Sequence, residues 1–148
     1  MKIAVGSDHA GFQFKQKVIE ALTALGHEAI DMGTFSEERA DYPDFAVKVA
    51  NEVTSGRATY GVTVCMTGNG MNIAANKVDG IRAGLVLTTE MAMYTRSHNN
   101  ANILTLSSRY TDPTALESIL KTFIETPFAG GQHSQRIQKI EDIESSGS

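Results

Sequence analysis

The sequence predicts an α/β protein, a three-layer α/β/α sandwich around a five-stranded parallel sheet. Three observations lead there. Five short, near-continuous apolar runs recur along the chain, as strands buried on both faces require. Segments with helical apolar spacing lie between them, and strands alternating with helices imply parallel pairing with helices on both faces. The length, 148 residues with 41% apolar content, is that of one ordinary core.

The elements follow in order. Residues 3–6 are the first strand. Phe12, Val18, Ile19, Leu22 and Leu25 keep helical spacing, and Gly26 suits the stop. Residues 29–32 are the second strand. Phe45, Val49 and Val53 mark the next helix, which Gly56 ends. Residues 62–65 form the third strand, and 71–77 return to helix-compatible sequence. Residues 83–87 and 103–106 are the fourth and fifth strands. Pro113 suits a first helical turn, so a helix is expected over 114–124. A last helix over 135–143 carries Ile137, Ile140 and Ile143 on one stripe, and 145–148 looks like a frayed tail. No repeat, low-complexity stretch or linker interrupts residues 1–148, which read as a single Rossmann-like domain.

Composition narrows the function. Net charge is −4, so no basic field invites a nucleic acid. Cys65 is the one cysteine, which leaves no intrachain disulfide and too few sulfurs for a structural zinc cluster. His9, His27, His98 and His133 lack close metal-ligand spacing, so no metal is expected. The apolar run at the start is too short for a signal peptide, and no stretch approaches a membrane span. A free thiol without an export signal fits a reducing cytoplasm.

In open parallel sheets ligands bind outside the carboxyl ends of the strands. That rule selects the loops 7–11, 65–70 and 88–90. In the second, Cys65 closes a strand just before a helix start, where exposed N–H groups favour negative charge and should lower the thiol pKa. Gly68 and Gly70 let backbone approach a ligand, so the loop can hold a phosphate, a carboxylate or an enediolate oxygen. An inert core cysteine is the competing reading. The residue six after Cys65 is Met71, not the arginine that a cysteine-dependent phosphatase needs. No Gly-Lys-Ser/Thr occurs, and Asp8 stands where a dinucleotide fingerprint needs its middle glycine. Asp8 and His9 could face the same crevice, binding hydroxyls or an anion and moving protons; alternatively, Asp8 only caps the following helix. His98 lies in a polar run that also suits a solvated turn. Arg109 and Arg136 suit phosphate recognition by charge-assisted forks, or are ordinary surface arginines.

Taken together, several ordered motifs make the chain resemble the family of ribose-5-phosphate isomerase B and the galactose-6-phosphate isomerase subunits, closest to the former. They are KIAVGSDHAG from Lys2, Asp41-Tyr42-Pro43, CMTGNG from Cys65, IAANK from Ile73, His98-Asn99, and GGQH from Gly130 with Arg136 behind it. The resemblance runs from Met1 to about Ile143. It implies an aldose–ketose isomerase without cofactor, interconverting ribose 5-phosphate and ribulose 5-phosphate. By that resemblance Cys65 is the carbon base, Thr67 assists proton movement on the oxygens, and the amides of Met66, Thr67, Gly68, Asn69 and Gly70 hold the enediolate. His98 opens the sugar ring with help from Asp8. His9, Arg109 and Arg136 bind phosphate, and Asn99 binds the sugar. The family also implies a homodimer or dimer of dimers with the site at the subunit interface.

Three positions depart from the family pattern. Gln132 replaces the arginine of Gly-Gly-Arg-His, Met66 replaces a glycine, and Asn72 replaces a serine. A neutral amide forfeits a charge-assisted contact worth about 1.5–3 kcal/mol at a phosphate. The same chemistry on allose, galactose or tetrose phosphate is therefore the second reading. A non-catalytic sugar-phosphate binding protein is the third.

Overall fold

The computed structural model describes residues 1–147. Strands β1 (Lys2–Ser7), β2 (Glu28–Asp31), β3 (Tyr60–Cys65), β4 (Ala83–Leu85) and β5 (Ile103–Ser107) form one sheet, ordered β2-β1-β3-β5-β4. Every neighbouring pair is parallel. The helices are α1 (Phe12–Ala24), α2 (Tyr42–Thr54), α3 (Asn69–Ala75), α4 (Thr89–Ser97), α5 (Leu116–Glu125) and α6 (Gln132–Ser146). None is long and apolar enough to cross a membrane.

Alternate residues along β1 explain the continuous apolar runs. Ile3 and Val5 pack with Phe14, Val18 and Leu22 of α1 and with Ile119, Leu120 and Phe123 of α5. Ala4, between them, faces Val49 and Ala50 of α2 and Met71 and Ala75 of α3. Both faces are buried, so no polar alternation is possible. Each such Val, Leu, Ile or Phe side chain contributes about 1.5–3 kcal/mol by leaving water. Right-handed crossovers assign the helices: the steps β1→β2 and β4→β5 run one way across the sheet, while β2→β3 and β3→β4 run the other. The chain therefore leaves β1 in one direction and returns as β3 on its other side. The crevice between the carboxyl ends of these two strands is the topological switch point.

One buried cation supports that crevice. Lys15 is 0% exposed, and its Nζ donates to Asp31 Oδ1 at 2.5 Å. Asp31 Oδ1 also accepts from the Gly33 N–H at 2.9 Å. The rings of Phe12 and Phe35 lie 5.4 and 5.3 Å from the ammonium. The turn so held then bonds both ways with β1: Ser7 N–H donates to Gly33 O, and Thr34 N–H donates to Ser7 O, each at 2.8 Å.

The structure corrects several expected boundaries. β4 stops at Leu85, although Val86 N–H still donates to Thr105 O at 2.9 Å. Helix α4, absent from the sequence reading, follows because Thr88 caps it by accepting from Met91 N–H at 3.1 Å. Its apolar residues are sparse, which left its period weak. α3 starts at Asn69 and ends at Ala75, not over 71–77, and a 3₁₀ turn over Pro113–Ala115 precedes α5. α6 starts three residues before the expected Gln135 and runs through Ser146 where a frayed tail was expected; Ser148 lies outside the described residues. Of the predicted stripe only Ile137 is buried, while Ile140 and Ile143 are 43% and 70% exposed.

The Lys15–Asp31 pair generates a stability prediction. Asp31→Asn keeps the Gly33 bond but strands a buried ammonium, and should cost about 2 kcal/mol, below the 3–5 of a fully buried pair because Asp31 is partly exposed. Lys15→Met removes the charge itself and should stay within about 1 kcal/mol of the parent. Urea unfolding of both variants checks the contrast.

Candidate functional site

β3 and β5 place the thiol. Cys65 pairs with Ser107 across the ladder and is 6% exposed, its side chain in the cluster formed with α2 and α3. The loop it opens is fastened to the end of β5. Ser107 Oγ donates to Met66 O at 2.6 Å, Ser108 N–H to Cys65 O at 3.0 Å, and Arg109 N–H to Met66 O at 3.1 Å. Gly68 then turns the backbone with φ +85°. A Cβ there would meet Leu85 Cδ1 at 2.5 Å and Leu106 O at 3.0 Å, so only glycine fits. A Cβ at Gly70 would lie 2.5 Å from the ring of Tyr42, which rests on that glycine. Thr67, Asn69 and Met66 are exposed, and Thr67 Oγ1 accepts from Asn69 N–H at 3.2 Å.

The thiol's electrostatics run against the sequence expectation. Burial pushes the Cys65 pKa up, and the nearby Asp8 carboxylate adds to it. The N–H groups of Met71, Gly68 and Gly70 point at sulfur and pull it back, but desolvation wins and the pKa stands above the ordinary thiol value. The helix start does favour the anion, as expected; the expected lowering fails because β3 carries the thiol under the loop.

Asp8 and His9 follow β1 into the same crevice. Asp8 is buried, and its Oδ1 accepts from Gly11 N–H at 3.0 Å, which braces the turn ahead of α1 rather than capping that helix, whose N-cap is Gly11; its charge also reaches the thiol. His9 Nδ1 is held against the Ala40 backbone, 3.1 Å from its nitrogen and 3.2 Å from its carbonyl oxygen, which fixes the ring at the crevice. A cavity of about 330 Å³ opens beside it, lined by His9, Gln13, Lys17, Glu37 and Ser108. Gln13 donates to Glu37 across its rim. Arg109 is exposed beside this cavity's Ser108, its guanidinium 5.7 Å from the Tyr110 ring.

The other predicted residues lie elsewhere. α4 starts beyond the carboxyl end of β4 and runs back across the sheet, so His98 and Asn99 precede β5 at its amino end. β5 spans five residues, which puts about 15 Å of sheet between them and the level of Cys65. Ser97 O accepts from Ala129 N–H at 2.9 Å, which brings the start of α6 against the end of α4. Gln132 and Arg136 arrive there with His133, whose ring stacks on His98. A second cavity of about 360 Å³ adjoins Asn99, with Asn76, Arg82, Ile140 and Ile143 in its wall. One chain thus carries two groups at opposite ends of its sheet: Cys65, Thr67, Asp8, His9 and Arg109, and His98, Asn99, Gln132 and Arg136. Among the described residues no three His, Cys, Asp or Glu side chains converge as a metal site.

Sequence reasoning missed three residues that shape these groups. Ser107 locks the loop, Tyr42 shields Gly70, and His133 covers His98. Tyr42 carried a signal, since it stands before Pro43 at a helix start. His133 stood in the GGQH motif without a role of its own, and Ser107 carried no signal, because its partners are distant in sequence.

Comparison with known proteins agrees over the full architecture. The family model described as Ribose/Galactose Isomerase matches residues 3–140. Ribose-5-phosphate isomerase B of Escherichia coli (strain K12) is 41% identical over 143 residues, covering 97% of this chain and 96% of that protein. Ribose-5-phosphate isomerase B of Clostridium thermocellum superposes with a TM-score of 0.97 at 44% identity, covering 100% of both chains. The Mycoplasma genitalium enzyme of the same name, solved with bound ribulose-5-phosphate, gives a TM-score of 0.91 at 38% identity over 97% of this chain and 96% of that one.

The charge beside the thiol makes its reactivity testable. Asp8→Asn keeps the Gly11 bond and removes the negative charge that raises the Cys65 pKa, so more thiolate forms at a given pH. Iodoacetamide should alkylate this variant about two- to fivefold faster at pH 8. With one cysteine in the chain, mass spectrometry of intact protein reads the rate directly.

Proposed function

Because the chain belongs to the ribose/galactose isomerase family, we propose that it interconverts an aldose phosphate and its ketose, with ribose 5-phosphate and ribulose 5-phosphate as the pair. The observation that carries this reading is the thiol at the switch point with three backbone N–H groups aimed at it and a carboxylate beside it.

The chemistry follows from those groups. Cys65, as thiolate, takes the proton from C2 of the open-chain aldose. The electron pair moves onto the C1 carbonyl oxygen, giving an enediolate. The amides of Met66 to Gly70 hold that anion with dipoles already fixed by the fold. The thiol returns the proton to C1, and Thr67 carries a proton between the two oxygens. A base with a raised pKa is the stronger base once ionised, which suits abstraction from carbon. His98 and Asp8 open the ring; His9, Arg109 and Arg136 hold the phosphate, and Asn99 and Gln132 contact the sugar phosphate. The catalytic step uses these side chains and amides alone.

The two residue groups at opposite sheet ends support a shared site. In a closed two-fold dimer each surface meets its complement twice, so the His98 group of one copy can complete the Cys65 group of the other. A dimer, or a dimer of dimers, is the assembly this arrangement fits. The free, reduced thiol that the reaction needs suits a cytoplasmic setting.

Gln132 favours a second reading, the same reaction on a four- or six-carbon sugar phosphate. It withdraws a cation from the phosphate end, so the phosphate can sit at another depth. Ranking kcat/KM over a panel of sugar phosphates decides, and a clear lead for ribose 5-phosphate ends this alternative.

Two outcomes test the main reading. Cys65→Ala should lose at least about 10³-fold in turnover and should admit no solvent deuterium at C2 of the aldose, the mark separating an isomerase from a binding protein. Full turnover by this variant would remove Cys65 as the base. Secondly, Cys65→Ala and His98→Ala, each inactive alone, should regain about a quarter of wild-type activity when mixed and refolded, since half the dimers then hold one intact site. No recovery would mean that each chain builds its own site.

A further inference from the structure

Beyond the groups already placed, the sharpest feature is the stack on His98. Its ring contacts two others of the same chain. Tyr94, one helical turn back on α4, has its ring centroid 4.7 Å away at 47°, and His133 of α6 lies 4.3 Å away at 16°, nearly parallel. The backbone is built to deliver His133 there. Ala129 is tied to Ser97, and Gly130 and Gly131 follow with φ of +66° and +58°, a conformation that side-chain-bearing residues resist. α6 then begins, and His133 falls in its first turn.

We propose that His133 is a positioning residue for the isomerisation, its ring fixing the plane of His98 so that His98 delivers its proton to the sugar ring oxygen. The inference rests on the reading of His98 as the ring-opening group. Opening breaks the C1–O4 bond of the furanose. Its electron pair goes to O4, which takes the proton from His98, while the C1 hydroxyl gives its proton to Asp8 and becomes the carbonyl. Proton transfer of this kind demands a donor aimed within about 10–20° of the acceptor. An exposed histidine at a helix end turns freely about its side-chain bonds; contact with a nearly parallel ring and with a tilted one restricts that freedom.

A second imidazole serves better than a charged neighbour. Burial lowers the His133 pKa below the ordinary histidine value, and the nearness of His98 and then of Arg136 lowers it further. These effects disfavour the charged form of His133, so the second ring adds less repulsion beside His98 than a fixed cation would. Tyr94 on α4 and Arg136 on α6 are the other titratable or charged groups at the pair.

The test separates ring opening from carbon chemistry. Ribulose 5-phosphate has no ring to open, so solvent deuterium enters its C1 through the enediolate alone. His133→Ala should lower kcat on ribose 5-phosphate about tenfold with KM within about twofold, and His133→Phe, which keeps a flat ring there, should restore most of it. Deuterium entry at C1 should match wild type in both. Unchanged kcat in His133→Ala, equal loss of turnover and exchange, or no rescue by phenylalanine would each overturn the proposal. His98→Asn is the control on the underlying reading: if it keeps full turnover of ribose 5-phosphate, the ring-opening role itself fails, whereas loss in His98→Asn with none in His133→Ala sinks only the present inference.

Discussion

In a parallel sheet every connecting helix must carry the chain back to where the next strand begins. This constraint orders everything else in the molecule. Residues at the ends of strands collect on one edge, and residues at the ends of helices collect on the opposite edge. Cys65 ends β3, so it shares its edge with Asp8, His9 and Arg109. His98 ends α4, so it belongs to the other edge, with Asn99 and the start of α6. No loop rearrangement of ordinary size moves a group from one edge to the other. The proposed reaction, which uses both groups, would therefore draw them from two molecules.

At the strand-end edge, the structure resolves a competition between two effects on the thiol. Backbone dipoles favour the anion, and burial disfavours it. Burial prevails, with the Asp8 charge acting in the same direction. The outcome suits a base better than a nucleophile, since a thiolate that is costly to form takes up a proton strongly. Close packing enforces the geometry: Gly68 has backbone and a leucine against it, and Gly70 has a tyrosine ring. Rigidity here follows from contacts made from behind the loop, by Ser107 and its neighbours on β5.

Support for the first loop is electrostatic rather than apolar. Lys15 is a fully buried cation whose one carboxylate partner sits in the turn after β2. That turn bonds to Ser7, the residue before Asp8. A buried ion pair is poor value for stability alone, but it has one correct geometry, and here that geometry aligns two segments leading to the site.

Much was legible from the chain itself. Continuous apolar runs revealed the doubly buried strands, and glycine, proline and aspartate placed most turns, because these signals act between near neighbours. The CMTGNG loop and Asp8-His9 were legible for the same reason: strand ends mark the binding edge of such sheets. α4 was not legible, since its helix rests on a cap and on tertiary packing more than on apolar period. The thiol pKa, the stacking of His133 on His98 and the distance between the two groups belong to the tertiary structure alone. Burial, ring contact and edge-to-edge separation depend on partners tens of residues away, and no local pattern records them. The sequence by itself determined which side chains are available and the order of the strands along the chain; folding decided the element ends and which side chains meet.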